Sequence, residues 1–469
     1  MQVAVVGSGY VGLVAAACLA EIGHSAVCID NDSEKIRALQ RGEAVIHEEY
    51  LPVLLERHGG RRLHFTTSLA DGVRSSSIIF VAVGTPPSET GDADVSSLES
   101  VCVEIARHAE GSQLIVVKST VPAGTNQWIR RVLHRNNGNG HRFDVASNPE
   151  FLREGTAVTD FLYPDRIVLG CDTETGAALL NELYRPLLDG SYAAGDEAVP
   201  VPDCAVLPAR AIVTSSASAE LIKQASNAYL AMKISFINAV ANICEAGDAD
   251  IEEVVEGIGS DRRIGSRFLK PGIGYGGSCF PKDLLSFRAV SRELGYDFRM
   301  LDEVMRINED QRRRFVGKVR RALWTLKGKR LAVLGLAFKG GTDDVRESPA
   351  IAVIRSLLHE GCEIAAYDPA ATARARTAFD PKAAIRFVES AYDAAQGADA
   401  LLVLTEWEEF AALDLQRLRA QMRHAIVVDG RNVFSPESMA KAGFQYISTG
   451  RSEKMQDAHN VIQSTDAAA

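Results

Sequence analysis

One glycine-rich stretch holds the residue types best suited to covalent chemistry. Residues 274–283 read GYGGSCFPKD, and Pro281 favours the first turn of a helix. Cys279 is therefore expected just before a helix N-terminus with Lys282 close by, and both features lower the pKa of a thiol. Asp283 falls one helical turn after Cys279, close enough to position a water or take a proton. The stretch predicts a nucleophilic cysteine, with a buried structural cysteine as the alternative.

A second group of residues near the N-terminus is typical of dinucleotide binding. The pattern G-x-G-x-x-G spans residues 7–12, follows an apolar strand pattern and opens a helical run, and Asp30 stands 18 residues after Gly12 at the end of the next predicted strand. A carboxylate there can bond both ribose hydroxyls and would repel a 2′-phosphate. The arrangement predicts NAD rather than NADP, a preference that Lys35 and Arg37 soften; a tight turn without a ligand is the alternative.

Two pairs of polar residues stand four positions apart. Residues 148–155 resemble a short helical turn capped by Asn148, which would place Glu150 and Glu154 on one face. Lys223 and Asn227 share a face of a predicted helix. Glutamates at a helix start and lysines on helices are often only solvated charges, so these pairs alone do not decide between a catalytic and a structural role.

Hydroxyl side chains follow two further predicted strands. Thr85 lies in Gly-Thr-Pro-Pro after one strand, and Thr120 lies in residues 118–125 after the next. Both are expected at the carboxyl edge of a parallel sheet, where cofactors bind in open α/β folds, although each turn could serve only as a cap. None of the ten histidines stands in a metal-binding spacing, and no metal is predicted.

The elements that must position these residues follow from the hydrophobic pattern. Strands alternate with helices in the first part of the chain, which predicts a parallel sheet covered on both faces. Residues 218–246 contain neither Gly nor Pro and carry apolar residues at helical spacing, which predicts one long helix. From Lys329 the strand, glycine turn and helix recur without the middle glycine, so this region is expected to bind a nucleotide differently.

The predicted fold class is therefore α/β, with two Rossmann-like doubly wound domains joined by a central all-helical domain that contains the long helix. The predicted boundaries are 1–210 for the NAD-binding domain, 211–325 for the central domain, 326–452 for the C-terminal domain and 453–469 for a disordered tail.

Composition excludes several classes of protein. The 469 residues carry a formal net charge of -10, which gives no overall attraction to nucleic acid, and no apolar run is long enough to span a membrane. None of the eight cysteines forms a C-x-x-C pair, and they are interpreted as reduced thiols. No Lys or Arg precedes Lys35, so the N-terminal apolar run lacks the charged region of a signal peptide and the chain is expected in the cytoplasm.

Taken together, these motifs resemble the UDP-glucose 6-dehydrogenase family, one branch of the UDP-glucose/GDP-mannose dehydrogenases, over residues 1 to about 450. The matching segments are 7–12, 83–87, 118–125, 147–155, 268–272, 276–283, 337–339 and 346–348. The resemblance implies an N-terminal NAD domain, a central dimerising domain, a C-terminal domain that holds UDP, and a homodimer. It also implies two NAD-dependent oxidations that convert UDP-glucose to UDP-glucuronate through a thiohemiacetal and a thioester on Cys279.

The resemblance assigns roles to individual residues. The implied catalytic residues are Cys279, Lys223, Asn227, Asp283, Thr120 and Glu154. The implied NAD-binding residues are Gly7, Gly9, Tyr10, Val11, Gly12, Asp30, Lys35, Thr85, Thr120, Glu154, Lys282 and Arg346. The implied sugar-nucleotide residues are Glu150, Phe151, Leu152, Arg153, Glu154, Lys223, Asn227, Arg263, Phe268, Leu269, Lys270, Pro271, Gly272, Gly276, Lys339 and Arg431, with Arg263 reaching in from the partner subunit.

Three alternatives stay open at this point. Sister dehydrogenases that act on GDP-mannose or UDP-N-acetylmannosamine share the Cys, Lys and Asn core. A catalytically silent nucleotide-sugar sensor would keep the same fold, although the intact Cys279 and Lys223 speak against it. A two-electron hydroxyacid dehydrogenase would have no need of Cys279. The segments 150–155 and 164–167 resemble the UDP-glucose branch more than the dehydrogenases that act on GDP-mannose or UDP-N-acetylmannosamine.

Overall fold

The computed structural model describes residues 1–88, 93–138, 140–195, 198–203 and 205–452. These residues form two compact units. The first comprises Met1–Ser226 and Leu285–Tyr296, and the second comprises Asn227–Leu284 and the residues from Asp297 onward. The tail predicted at 453–469 lies outside the described residues.

The first unit is built on an eight-stranded sheet. Its strands are β1 Gln2–Val6, β2 Ser25–Ile29, β3 Leu63–Thr66, β4 Ile78–Val81, β5 Gln113–Val117, β6 Phe143–Ser147, β7 Arg166–Cys171 and β8 Arg210–Thr214. The order is β3-β2-β1-β4-β5-β6-β7-β8, and every pair is parallel except β6 with β7. Alternate residues of β1 enter different cores, Val3 and Val5 on one face and Ala4 and Val6 on the other, as a sheet covered on both faces requires.

Helices cover both faces of this sheet. They are α1 Tyr10–Glu21, α2 Ser33–Gln40, α3 Leu51–His58, α4 Leu69–Ser75, α5 Ser96–His108, α6 Thr125–Asn136, α7 Ala157–Leu162, α8 Glu174–Leu183 and α9 Arg185–Leu188. Helix α1 starts directly after the first glycine turn and is buried from Gly12 to Ala20, so it is the helix most completely enclosed by the core. The turn before it is thereby held firmly in place.

The helical middle of the chain contains the predicted long helix. Its helices are α10 Ser216–Gly247, α11 Ile251–Gly259, α12 Phe280–Glu293 and α13 Arg299–Leu323. Helix α10 exceeds the predicted range by two residues at its start and one at its end. Within the described residues, no helix is both long and apolar enough to cross a membrane.

The second unit contains a six-stranded, wholly parallel sheet. Its strands are β9 Arg330–Leu334, β10 Glu363–Tyr367, β11 Ile385–Phe387, β12 Ala400–Val403, β13 Ile426–Asp429 and β14 Gln445–Ile447, in the order β11-β10-β9-β12-β13-β14. The helices after β9 are α14 Pro349–His359, α15 Thr372–Arg376, α16 Ala391–Ala395, α17 Glu408–Ala411, α18 Leu415–Gln421 and α19 Pro436–Lys441. The predicted fold class is confirmed; the domain boundaries stay predictions.

Candidate active site

The glycine turn after β1 fits a bound dinucleotide. Gly7 has a φ of 102°, and a Cβ there would lie 2.6 Å from the carbonyl oxygen of Ala82. A Cβ on Gly12 would overlap the carbonyl oxygen of Gly7, whereas a Cβ on Gly9 would meet nothing within 4 Å. The first and third glycines are thus required by packing, and the second leaves open space at the start of α1, where a pyrophosphate can approach the backbone.

Asp30 lies beside this turn at the end of β2. Its Oδ2 accepts hydrogen bonds from the backbone N–H of Ser8 at 2.8 Å and from the Ser8 hydroxyl at 2.7 Å, and Lys35 Nζ lies 3.5 Å away. Burial alone would raise the pKa of Asp30, but the bonds from Ser8 and Asp32 and the charge of Lys35 outweigh it and lower that pKa. Asp30 is therefore ionised at neutral pH and can accept hydrogen bonds from a ribose.

The two threonine turns lie together at the carboxyl edge of the sheet. The Thr85 hydroxyl donates to the carbonyl oxygen of Thr120 at 2.8 Å, and the Ser119 hydroxyl donates to the carbonyl oxygen of Val83 at 2.6 Å. The parallel pairing of β4 with β5 brings these segments side by side. Thr85 and Thr120 thus share the sheet edge that carries Gly9, as the sequence predicts.

Glu150 and Lys223 form a buried ion pair. Lys223 Nζ lies 2.8 Å from Glu150 Oε1, and both side chains are about 5% exposed or less. Burial acts to raise the pKa of Glu150, but the charge and hydrogen bond of Lys223 dominate and lower it. The second carboxylate oxygen accepts the backbone N–H of Leu152 at 2.6 Å, so Glu150 fixes both the lysine and its own turn.

The helical turn predicted at 148–155 is wrong. None of these residues is helical, and the next helix, α7, begins at Ala157. The Asn148 carboxamide does not cap a helix: its oxygen accepts Lys118 Nζ at 3.0 Å and the Tyr184 hydroxyl at 2.6 Å, and its nitrogen donates to Val168 at 2.9 Å. Distant partners thus replace the local cap. The helical face that Glu150 and Glu154 were expected to share does not form.

The side chains that follow Glu150 interact with cations and acids of the same unit. The Phe151 ring has the Arg166 guanidinium 3.7 Å and Lys223 Nζ 5.4 Å from its centroid. Arg153 binds Asp160, with a shortest distance of 2.6 Å. The segment is thus held by charged groups rather than by regular secondary structure.

In the second unit, Cys279 directly precedes α12, which confirms the predicted position. The backbone N–H of Asp283 donates to the carbonyl oxygen of Cys279 at 2.8 Å, which closes the first helical turn, and Ser278 Oγ lies 3.6 Å from Cys279 Sγ. Cys279 is partly exposed. A partly exposed thiol at the positive end of a helix meets the requirements of a nucleophile.

Asp283 is fully buried and holds two polar neighbours. Its carboxylate accepts Asn227 Nδ2 at 2.6 Å and Lys282 Nζ at 2.7 Å. Asn227 on α10 and Asp283 on α12 are therefore in direct contact. The carboxylate fixes the direction of the Asn227 amide, whose oxygen and remaining N–H can face a ligand.

The glycine loop before Cys279 is fixed by residues that the sequence analysis did not identify. Asn238 Oδ1 accepts the Gly272 N–H at 2.8 Å, and Gln311 Nε2 donates to the Gly272 carbonyl at 2.9 Å. Asn308 Oδ1 accepts the Tyr275 N–H at 2.8 Å, and Asn308 Nδ2 donates to the Tyr275 carbonyl at 3.0 Å. The spacing of Asn238, eleven residues or about three turns after the predicted site residue Asn227, is the signal that could have found it.

Basic residues of the second unit surround the same loop. Arg431 donates to the carbonyls of Leu404 at 3.0 Å and Phe338 at 3.1 Å, and a Cβ on Gly272 would lie 3.0 Å from its guanidinium. Arg346 forms an ion pair with Asp344 at 2.6 Å, and its carbonyl accepts the Gly277 N–H at 3.1 Å. Gly276 is needed because a Cβ there would overlap the carbonyl of Glu347.

The remaining predicted residues of this unit occupy different environments. Arg263 binds Asp261 at 2.6 Å, and its side chain is 88% exposed. Phe268 has a φ of 64° and a ring centroid 6.4 Å from that of Phe280. Leu269 and Pro271 are buried, Lys270 is exposed, and Lys339 Nζ lies 5.9 Å from the Phe338 ring. Within the described part of the chain, no cluster of His, Cys, Asp or Glu could hold a metal ion.

The chain matches all three parts of one protein family. Residues 1–188 match the NAD binding domain of the UDP-glucose/GDP-mannose dehydrogenase family, residues 217–310 match its central domain, and residues 332–436 match its UDP binding domain.

Individual relatives are similar over nearly the whole chain. UDP-glucose 6-dehydrogenase TuaD of Bacillus subtilis is 41% identical over 451 residues, which cover 96% of this chain and 93% of that protein. UDP-glucose 6-dehydrogenase of Rhizobium meliloti is 41% identical over 457 residues, which cover 96% and 100%. The structure of a UDP-glucose dehydrogenase from the archaeon Pyrobaculum islandicum superposes with a TM-score of 0.84 at 36% identity, covering 95% of this chain and 96% of that one.

Proposed function

Because the chain belongs to the UDP-glucose/GDP-mannose dehydrogenase family, we propose that it oxidises UDP-glucose at C6 to UDP-glucuronate with two equivalents of NAD. The observation that carries this proposal is the partly exposed Cys279 at the start of α12, beside the hydrogen-bonded Asn227, Asp283 and Lys282. A dehydrogenase that stops after one oxidation has no use for a nucleophilic thiol. The similarity to UDP-glucose 6-dehydrogenases favours glucose over the sister sugars.

The first unit would hold NAD. Gly7, Gly9 and Gly12 form the turn that admits the pyrophosphate, and Asp30 accepts hydrogen bonds from the ribose. The other residues proposed to contact it are Tyr10, Val11, Lys35, Thr85, Thr120, Glu154, Lys282 and Arg346. Bound NAD supplies a hydride acceptor for each of the two oxidations.

Cys279 links the two oxidations. After C6 has lost its first hydride and a proton, the Cys279 sulfur adds to the aldehyde carbon and forms a thiohemiacetal. Loss of the second hydride and the hydroxyl proton leaves a thioester. Water then attacks the thioester carbon, the C–S bond breaks, and the thiol is restored as UDP-glucuronate leaves. Lys223 and Asn227 donate hydrogen bonds to the C6 oxyanion. Asp283, Thr120 and Glu154 position water and transfer protons.

The test counts NADH per sugar. The wild type should form two NADH per UDP-glucose without free aldehyde, and Cys279→Ser should lose turnover because a serine hydroxyl attacks poorly and leaves an ester poorly. Cys171→Ser, at another partly exposed cysteine, should keep the wild-type rate. Faster turnover of GDP-mannose or UDP-N-acetylmannosamine would contradict the sugar assignment, and full turnover of Cys279→Ser would contradict the thioester route.

We further propose that the enzyme acts as a homodimer. Tyr229, Phe236 and Ile243 recur every seven residues on α10 and are 58%, 53% and 69% exposed, which leaves an apolar stripe that a second copy would cover. Ile243→Glu should yield monomers in sedimentation, whereas Leu294→Glu, at an exposed apolar residue outside the stripe, should not. Monomeric wild-type protein would contradict the dimer.

Arg263 is proposed to serve the partner's sugar-nucleotide site, and its exposed side chain is available for that role. Hybrids of Arg263→Ala with Cys279→Ser subunits should regain activity, since one site then combines an intact cysteine with an intact arginine. Dead hybrids would contradict the assignment. The cytoplasm is the proposed location, supported by the seven described cysteines, none of which forms a disulfide.

A further inference from the structure

Lys118 is a buried cation that the proposed mechanism does not use. It directly follows β5 and is about 5% exposed. Its Nζ donates to Asn148 Oδ1 at 3.0 Å and lies 5.6 Å from the centroid of the Phe161 ring. Within the described residues it forms no ion pair, although buried lysines are rarely kept without one. A group with so unfavourable a position is a candidate for a functional role.

Four titratable groups face Lys118 from different elements. Glu150, in the turn after β6, attracts its charge, and Lys223 on α10 repels it. Cys18 on α1 and Tyr184 after α8 have pKa values that burial raises, so both stay neutral through the working range. The charges next to Lys118 are therefore those of the Glu150–Lys223 ion pair.

Burial, only partly opposed by Glu150 and reinforced by Lys223, lowers the pKa of Lys118 to about 8. Lys118 is therefore charged at neutral pH and loses its charge as the pH rises through about 8. Lys223 keeps its direct partner, the Glu150 carboxylate, throughout this change. The loss of the Lys118 proton would thus remove one positive charge from the surroundings of the pair without breaking it.

Two hydrogen bonds and the short backbone segment 148–150 join Lys118 to that pair. Lys118 binds Asn148, which lies two residues before Glu150, and Glu150 binds Lys223 at 2.8 Å. We propose that Lys118 is a positioning residue that orients the Glu150–Lys223 pair through Asn148 and supplies a second positive charge that favours the oxyanion held by Lys223. This inference rests on the proposed function, in which Lys223 donates to that oxyanion.

Two substitutions separate the hydrogen bond from the charge. Lys118→Gln keeps an N–H donor for Asn148 and removes the charge, whereas Lys118→Met removes both at similar length. The measurement is kcat and KM for NADH formation from UDP-glucose between pH 6 and 10, with a thermal midpoint at each pH to confirm folding.

At pH 6.5, kcat of Lys118→Gln should be about tenfold below the wild type, the size expected for the loss of one nearby charge in a partly screened site. Its KM values should change less than about threefold, because the charge acts on the transition state. The wild-type kcat should fall as the pH rises through about 8 and meet that of Lys118→Gln near pH 9.5. Lys118→Met should lie below Lys118→Gln at every pH.

Equal kcat of the Gln variant and the wild type at pH 6.5 would overturn the role of the charge, as would a constant ratio across the pH range. Equal kcat of the Gln and Met variants would overturn positioning through Asn148.

A second readout needs no substrate. The carboxyl carbon of Glu150, followed by NMR in protein labelled with ¹³C at glutamate and assigned with Glu150→Gln, should titrate at a higher pH in Lys118→Gln, because Lys118 lowers the pKa of Glu150. An unchanged titration would overturn the inference. Absence of NADH formation by the wild type would instead overturn the proposed function, so the two failures are distinguishable.

Discussion

In each sheet an aspartate directly follows the second strand, but the two carboxylates have different roles. Asp30, after β2, accepts the Ser8 N–H and hydroxyl and the Asp32 N–H. Asp368, after β10, accepts five N–H groups from its own unit and is 3% exposed. These donors are the backbone N–H groups of Leu336, Ala337, Ala370 and Ala371 and the indole N–H of Trp407.

The difference lies in the turns that face these acids. Helix α1 begins three residues after Gly7, so its N-terminus and the carboxylate both remain close to the ligand space beside Gly9. In the second unit, α14 begins fourteen residues after Gly335, and the backbone N–H groups of the turn donate to Asp368. The same strand and turn therefore bind a dinucleotide in one unit and stabilise a long loop in the other.

That loop carries Lys339, one of the residues proposed to contact the sugar nucleotide. The loop lies within residues 332–436, which match the UDP binding domain of the family. Charged side chains can hold a diphosphate without a glycine turn. A Rossmann-like sheet can therefore lack the middle glycine and still belong to a nucleotide-binding unit.

The largest expected effect is on stability. Asp368→Ala would leave five N–H donors without their acceptor in a buried site, and the free energy of unfolding should fall by about 3 kcal/mol or more. Asp30→Ala, which removes fewer and more exposed bonds, should cost about 1 kcal/mol. Urea unfolding followed by circular dichroism measures both. Equal losses would show that the two aspartates are structurally equivalent.

The fold could be predicted in detail because local pattern decides it. Strand β1, the glycine turn and α1 follow each other within residues 2–21, and α10 was recognisable from a long run without Gly or Pro. The position of Cys279 before α12 was predictable for the same reason, since Pro281 fixes the first helical turn.

The rest of the site depends on partners far away in the sequence. The turn at Asn148 is not helical because Lys118 and Tyr184, 30 and 36 residues away, take its carboxamide oxygen. Gly272 is held by Asn238 and Gln311, 34 and 39 residues away. Such contacts are fixed by tertiary packing, and no local propensity indicates them.

A smaller effect concerns cofactor choice. Asp30→Ser should reduce the ratio of kcat/KM for NAD over NADP by about tenfold, because the carboxylate that repels a 2′-phosphate is gone while Lys35 remains. Glu56→Ser removes an equal charge from an exposed site on α3 and should leave the ratio unchanged. An unchanged ratio in Asp30→Ser would mean that Asp30, like Asp368, serves only the fold.

The smallest effect is a pH dependence confined to the first unit. Glu220 accepts the backbone N–H groups of Gly124 at 2.6 Å and Asn126 at 2.9 Å, and burial raises its pKa to about 7 despite these bonds. The pKa of an unfolded glutamate is about 4.3, so the folded state binds the proton more tightly and loses stability as the pH rises toward 7. Relative to Glu220→Gln, which stays neutral, the wild type should gain about 1 kcal/mol of unfolding free energy between pH 7 and pH 6.

Matched unfolding curves at the two pH values measure this gain. Glu174→Gln, at an exposed glutamate in the first turn of α8, is the control and should keep the wild-type pH dependence. The gain belongs to the first unit because Glu220, Gly124 and Asn126 all lie there. If Glu220→Gln retained the full pH dependence, the titrating group would lie elsewhere. If Glu220→Gln also shifted the unfolding transition of the second unit, the pH dependence would not be confined to the first unit.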